Sequence, residues 1–107
     1  MIYLASPYTN NINWNFQKTE AIVAEMMKAG LPVFSPIVHN HAIAEKYELP
    51  KSYKFWKEYN RTILCKAAQL YILTLPGWEI SRGVQDEIAF AKELHIPQMF
   101  VHPDNWS

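Results

Sequence analysis

Short apolar runs alternate with segments of helical periodicity along the chain, and this alternation constrains the fold more than any other feature. Residues 2–5, 31–34, 70–75 and 97–101 have the length and composition of buried strands. Between them, apolar residues recur every three or four positions, as on one face of a helix. Strands that alternate with helices imply a parallel sheet with right-handed crossovers. The sequence therefore predicts an α/β fold: a doubly wound, flavodoxin- or Rossmann-like parallel sheet of about four strands in the order 2-1-3-4.

The first helical segment has clear signals at both ends. Asn11 or Asn13 is the expected N-cap, and Gly30 stands where a left-handed C-terminal cap is expected. Its predicted apolar face comprises Phe16, Thr19, Ile22, Val23, Met26 and Met27.

The remaining helices differ in how clearly they are marked. Ser52 is the expected N-cap of a helix with Trp56, Tyr59, Ile63, Leu64 and Ala67 along one side, and Ser81 opens a last helix through Glu93. The stretch 37–50 is the least regular and predicts only a short helix at residues 41–47, which Pro50 ends.

Composition excludes several functional classes. The 107 residues suffice for a single domain, residues 1–107, and half of them are hydrophobic. Ten basic residues balance ten acidic ones, so no stable nucleic-acid binding is expected. The single cysteine, Cys65, excludes an internal disulfide and fits a reducing, cytoplasmic location. No signal peptide and no membrane span are expected.

The predicted architecture also indicates where a ligand binds. In open parallel sheets, ligands bind beyond the carboxyl ends of the strands. The candidate binding residues in those segments are Ser6, Pro7, Tyr8, Ser35, His39, Gly77, Ser81, Arg82 and Gly83.

Glu87 is the most unusual residue of the last helix. On a helical wheel it falls between Ala91 and Leu94, inside the apolar stripe, whereas Asp86 and Glu93 fall on the side where solvent is expected. An inward carboxylate is costly unless it is paired or lines a cleft. Glu87 is therefore either a catalytic carboxylate or a side chain whose stem packs while its head reaches water.

Asn60 is a second polar residue on an inward-facing side of a helix. It is either a ligand-binding amide or a buried amide that backbone groups satisfy. Two inward polar groups on the helices that flank the third strand favour a cleft.

The start of the last helix is a possible anion site, because the first amides of a helix lack intrahelical partners. Ser81 serves there as a plain N-cap, as an anion ligand or as both, and Gly83 lets a ligand approach the backbone. His39 and His41 would share one face if the chain were strand-like there, but no third ligand accompanies them. We therefore predict neither a metal site nor a cofactor.

Four segments together resemble nucleoside 2-deoxyribosyltransferase-like proteins. Residues 2–8 resemble their opening strand and loop, and residues 81–91 resemble their strand-to-helix segment with the catalytic glutamate. Residues 33–36 and the pair Tyr59-Asn60 match in kind and order. The resemblance covers nearly the whole chain and is strongest to a small phage and bacterial branch of that superfamily.

The resemblance implies roles for particular residues. Glu87 would be the nucleophile at C1′ of the sugar, and Tyr3 would orient it through its hydroxyl. Ser81 stands where transferases acting on free nucleosides have an aspartate, and where 2′-deoxynucleoside 5′-monophosphate N-hydrolases have a phosphate-binding serine. Asn60 stands where the family usually has an aspartate, and an amide cannot titrate.

The resulting expectation is hydrolysis of the N-glycosidic bond of a (deoxy)nucleoside 5′-monophosphate. Two alternatives stay open: a nucleoside 2-deoxyribosyltransferase that exchanges bases, and a non-catalytic nucleotide-binding module. The expected partners are a small nucleoside or nucleotide substrate and, by analogy, a second copy of the chain in a homodimer.

Overall fold

Four strands form one parallel sheet in the computed structural model, which describes residues 1–106. They are β1 (Ile2–Ala5), β2 (Val33–Phe34), β3 (Gln69–Leu73) and β4 (Gln98–Val101). Their order across the sheet is β2-β1-β3-β4. Tyr3 in the central strand β1 is paired with Phe34 on one side and Leu70 on the other. The predicted fold class and strand order are confirmed.

Helices cover both faces of this sheet. They are α1 (Ile12–Lys28), α2 (Pro36–Lys46), α3 (Tyr53–Leu64) and α4 (Arg82–Glu93), with short 3₁₀ turns at Trp78–Ile80 and Pro103–Trp106. Over residues 1–106, no helix is both long enough and apolar enough to cross a membrane.

The alternation of side chains along β1 divides the core into two clusters. Ile2 and Leu4 point to one face, where they pack against α1. Tyr3 and Ala5 point to the opposite face, where residues of α3 and α4 cover them. Because successive side chains of a strand point to opposite faces, this register places Tyr3 beneath α4.

Gly30 ends α1 as predicted. Its φ is +81°, and the N–H groups of Gly30 and Leu31 donate to the carbonyls of Met27 and Met26, which is the Schellman arrangement. Asn11 is the N-cap residue, although its side chain makes no capping hydrogen bond. The prediction that Met27 belongs to the buried face is wrong, because 60% of its surface is exposed.

The second strand and the helix after it differ most from the prediction. The strand covers only Val33–Phe34, because Leu31 still belongs to the cap of α1. The following helix begins at Pro36 rather than at His41. Ser35 accepts a hydrogen bond from the Val38 N–H at 3.2 Å, and Pro36 at the first helical position needs no N–H partner. Ser35-Pro36 therefore starts a helix, although it also follows a strand.

Smaller differences concern element ends. β3 covers Gln69–Leu73 instead of residues 70–75, and Ala67 lies beyond the end of α3 although it is buried. Ser52 is the N-cap residue of α3 but makes no side-chain capping bond, whereas Ser81 caps α4 through the Val84 N–H at 3.2 Å.

Candidate active site

A pocket of about 80 Å³ lies at the carboxyl edge of the sheet, and we call it the inner pocket. The loop after β1, the helices α2 and α3 and the first turns of α4 contribute its walls. It is lined by Ser6, Tyr8, Thr9, Pro36, Ile37, Asn40, His41, Ala44, Lys51, Tyr53, Trp56, Asn60, Ser81, Gly83 and Glu87.

Glu87 is the carboxylate of this pocket. Only 3% of its surface is exposed, and its Oε2 accepts a hydrogen bond from the Tyr3 hydroxyl. Burial raises the pKa of Glu87 to about 8, although the hydrogen bond from Tyr3 lowers it, and the charge of Asp86 raises it further. No cation within residues 1–106 forms an ion pair with Glu87. Such a carboxyl group exchanges its proton near neutral pH, as acid–base and nucleophilic groups do.

The position of Glu87 follows from the packing of α4 on the sheet. Val84 and Ala91, one turn before and after it, are fully buried in the core. The Tyr3 side chain extends from the face of β1 that α4 covers, and its hydroxyl donates to the Glu87 carboxylate. This is the contact that the resemblance implied. Leu94, predicted to complete the apolar stripe, is instead 43% exposed at the C-cap.

Burial and the neighbouring Glu87 raise the pKa of the Tyr3 hydroxyl well above its ordinary value. Tyr3 therefore keeps its proton throughout the accessible pH range and acts as a permanent hydrogen-bond donor to Glu87.

Asn60 is buried and belongs to a chain of side-chain hydrogen bonds. Its Oδ1 accepts from Asn40 Nδ2 at 3.4 Å, and Asn40 Oδ1 lies 2.7 Å from His39 Nδ1. Asn60 also lines the inner pocket, and its amide retains two N–H donors and a second acceptor site that a ligand can use.

Tyr8 and His41 form a polar pair on another wall of the inner pocket. The Tyr8 hydroxyl lies 2.6 Å from His41 Nδ1, and the imidazole stacks on the Phe16 ring at 4.2 Å. Glu45 Oε1 lies 3.9 Å from the opposite nitrogen, His41 Nε2. Asn15 donates to the Tyr8 carbonyl at 3.1 Å and so holds the loop in place. Burial raises the pKa of Tyr8 to about 12, and the charge of Glu45 adds to this effect.

Tyr53 forms the wall next to the start of α4. Its hydroxyl donates to Asp86 Oδ2 at 2.7 Å, and Arg61 binds the same carboxylate through two nitrogens, at 2.7 and 3.2 Å. Partial burial opposes ionisation of Asp86, but the hydrogen bonds from Arg61 and Tyr53 outweigh it and lower its pKa. Asp86 thus joins α3 to α4, and the prediction that it faces solvent is wrong.

The Tyr53 ring also explains the glycine at position 83. A Cβ on Gly83 would lie 2.9 Å from Cδ1 of Tyr53. The absence of a side chain at Gly83 therefore makes room for an aromatic ring of the protein itself. The approach of a ligand to its backbone stays a prediction.

A wider depression of about 1270 Å³ adjoins the inner pocket, and we call it the outer groove. The two share Thr9, Tyr53, Ser81 and Gly83, so Tyr53 and the N-terminus of α4 form their common border. The outer groove also has Pro7, Gly77 and the basic residues Lys54, Lys57 and Arg82 in its walls.

The predicted site residues are distributed over both depressions. The inner pocket contains Ser6, Tyr8, Asn60, Ser81, Gly83 and Glu87, with Tyr3 behind Glu87, and the outer groove contains Pro7, Gly77, Ser81, Arg82 and Gly83. Ser35 and His39 line neither. Ser35 caps α2, and His39 is exposed, stacks on Tyr59 and makes a tilted ring contact with Phe34.

The idea that His39 and His41 share one face is wrong. They lie on helix α2, where residues two apart point in different directions, and only His41 lines the inner pocket. Within the part of the chain that the structure describes, no three potential ligand side chains cluster so as to hold a metal ion.

Sequence reasoning missed Tyr53 and Asn40, although each lies at helical spacing from other residues that line the inner pocket. Tyr53 precedes Trp56 and Asn60 by three and seven residues, which places all three on one face of α3. Asn40 lies four residues after Pro36 and four before Ala44 on α2, and all three line the inner pocket. Taking Ser35-Pro36 as a helix start would have revealed this second face.

Comparison with known proteins adds a family but no function. No curated protein matches the chain. A family model matches residues 1–102, which is nearly the whole chain, and the protein therefore belongs to the family described as a domain of unknown function, DUF1937.

Proposed function

We propose that the protein cleaves the N-glycosidic bond of a 2′-deoxynucleoside 5′-monophosphate, with Glu87 as the nucleophile. The observation that carries this proposal is a buried carboxyl group that forms no ion pair with any cation of residues 1–106, accepts a hydrogen bond from the Tyr3 hydroxyl and lines the inner pocket. Placing an ionisable group in such an environment is costly for stability, which favours a role in chemistry over a role in packing.

In the proposed reaction, a carboxylate oxygen of Glu87 attacks C1′ of the sugar. The bond between C1′ and the base nitrogen breaks, and its electron pair stays with the base. The transition state resembles an oxocarbenium ion, which the negative carboxylate stabilises. Water then attacks C1′ of the glycosyl ester and loses a proton to solvent as the bond between C1′ and the Glu87 oxygen breaks, which releases 2-deoxyribose 5-phosphate and restores the Glu87 carboxylate. During both steps the Tyr3 hydroxyl donates to Oε2 of Glu87, the carboxylate oxygen that does not attack C1′.

The border between the two depressions suits a 5′-phosphate. The Ser81 oxygen accepts the Val84 N–H, so its own hydrogen is available to an anion, and the amides of Arg82 and Gly83 begin the helix. The positive end of the α4 dipole, Lys54 and Arg82 act in the same direction, whereas Lys57 lies 3.9 Å from the Asp86 carboxylate in the same groove.

The dimensions of the inner pocket set a condition on binding. Its volume of about 80 Å³ is smaller than the roughly 150 Å³ of a cavity that binds benzene. We therefore propose that the 5′-phosphate binds at the border with the outer groove, and that the inner pocket must enlarge to admit the base and sugar.

The pKa of Glu87 predicts the pH dependence of the reaction. A nucleophilic carboxyl group must be ionised, and with a pKa of about 8 only about one tenth of it is ionised at pH 7. We expect kcat/KM to rise about tenfold per pH unit below pH 8, as Glu87 ionises.

The test is incubation with each of the four common deoxynucleoside monophosphates, with chromatographic detection of free base. We expect base release by the wild-type protein and its loss in Glu87→Gln, which removes the nucleophile but keeps the shape of the side chain. Glu93→Gln, an exposed position on the same helix, is the matched control and should retain activity.

The same assay separates the alternative functions. If a deoxynucleoside and a second free base yield an exchanged nucleoside while no monophosphate is hydrolysed, the protein is a base-exchanging transferase. If a monophosphate binds equally well to wild type and Glu87→Ala and neither protein releases base, the protein is a binding module. Either result contradicts the proposed hydrolysis.

A further inference from the structure

We propose that Tyr8 is the general acid that protonates the departing base, and that His41 supplies the proton through the Tyr8 hydroxyl. This inference rests on the function proposed above and adds a residue pair to its mechanism. The need for it arises because a nucleobase leaves poorly as an anion, so that protonation accelerates the step. Asn60 cannot supply that proton, since an amide does not titrate.

The groups that line the inner pocket leave few candidates for the acid. Glu87 is the nucleophile, and the Tyr53 hydroxyl donates to Asp86 at 2.7 Å. Lys51 Nζ binds the Glu45 carboxylate at 2.8 Å. The remaining titratable residues of the lining are Tyr8 and His41, which lie together.

The Tyr8–His41 pair has the geometry of a proton relay. The two groups are 2.6 Å apart, and the Phe16 ring and helix α2 fix the orientation of the imidazole. Glu45 Oε1 lies 3.9 Å from Nε2 of His41, on the side of the ring opposite Tyr8. His41 is itself 8% exposed, whereas Tyr8 is the more exposed member of the pair. Tyr8 is therefore the group that meets the ligand.

The proton balance of the step is simple. Protonated His41 donates its Nδ1–H to the Tyr8 oxygen. As the bond between C1′ and the base nitrogen breaks, the Tyr8 hydroxyl gives its proton to a nitrogen of the base and takes the one from His41. The base leaves neutral, Tyr8 remains a phenol, and His41 becomes a neutral imidazole that solvent protonates again.

The test compares two leaving groups. One substrate is the deoxynucleoside monophosphate that the wild-type protein cleaves fastest. The other is 4-nitrophenyl 2-deoxyribose 5-phosphate, whose 4-nitrophenolate departs without a proton. Tyr8→Phe removes the acid, and His41→Asn keeps a hydrogen-bond donor near Nδ1 but cannot supply a proton.

We expect each variant to lower kcat for the nucleotide on the order of 100-fold, and to change kcat for the nitrophenyl substrate far less. Tyr47→Phe, a tyrosine that is 65% exposed, is the matched control and should affect neither substrate. A proportionate loss on both substrates would mean that the pair only holds the pocket together, and it would overturn the relay while the proposed function stands. Unchanged kcat for the nucleotide in both variants would also overturn it. A wild-type protein that cleaves neither substrate would refute both proposals together.

Discussion

Replacing Glu87 by Gln should stabilise the protein, and the gain should depend on pH. In the unfolded chain the carboxyl group has its ordinary pKa of 4.5, whereas burial in the folded protein raises that pKa to about 8. As pH rises above 4.5, the unfolded chain releases its proton while the folded protein retains it. The unfolded state is thereby favoured, and the wild-type protein loses stability until pH exceeds 8. Gln cannot ionise, so the variant does not carry this cost.

The magnitude follows from the two pKa values. Each pKa unit between them corresponds to about 1.4 kcal/mol once the pH has crossed it. The variant should therefore exceed the wild type by about 1 kcal/mol at pH 5, about 3 kcal/mol at pH 7 and about 5 kcal/mol at pH 9. Gln also preserves the acceptor for the Tyr3 hydroxyl, so the packing around position 87 changes little.

The assay is urea unfolding followed by tryptophan fluorescence, since the chain has four tryptophans. Both proteins are measured at pH 5, 7 and 9, and Glu93→Gln is measured in parallel as the exposed control. A difference between Glu87→Gln and wild type that stays constant across this range would refute the reasoning, because it would mean that Glu87 titrates normally. A less stable variant at pH 9 would refute it as well.

Three further substitutions test individual contacts. Ser81→Ala removes the acceptor for the first turn of α4 and should lower the free energy of unfolding by about 1 kcal/mol, whereas no loss would show that the hydroxyl does not cap the helix. Gly83→Ala would ordinarily stabilise a helix by about 0.5–1 kcal/mol, but here the added methyl group meets the Tyr53 ring and should destabilise the protein in urea unfolding. A Tyr53→Ala background should remove that penalty, and a penalty that persists there would contradict the assigned contact. Tyr3→Phe removes the hydrogen bond that lowers the pKa of Glu87. The pH range over which ionisation of Glu87 destabilises the protein should therefore extend upward. The measurement compares Tyr3→Phe with the double variant Tyr3→Phe/Glu87→Gln, and a range that moves downward would exclude this contact.

Local periodicity was sufficient to predict the sheet and the inward Glu87. The strands are short apolar runs, and their alternation with helices leaves few topologies. The position of Glu87 depends only on the spacing of Val84, Ala91 and the carboxylate along one helix, which sequence contains directly. The cap at Ser81 and the left-handed Gly30 are likewise local, because a few neighbouring residues decide them.

Local signals also failed where two interpretations compete. Ser35-Pro36 is a plausible strand end and a plausible helix start, and pattern alone did not favour the second. With the helix shortened, His39 and His41 seemed to share a face, and Asn40 went unnoticed. One misplaced boundary thus distorted the interpretation of a whole wall of the site.

The sequence by itself determined the alternating layers of this protein and the helix face that carries Glu87, whereas the strand order that it suggested was settled only by the pairing of the strands. Only the tertiary structure decided which side chains meet across the pocket. Tyr8 and His41 are 33 positions apart in the chain, as are Tyr53 and Asp86, and Tyr3 and Glu87 are 84 apart. Spacing along one element cannot specify contacts between elements, because they depend on how the helices pack over the sheet. For the same reason the pKa of Glu87 belongs to the folded protein, since burial against neighbouring elements raises it.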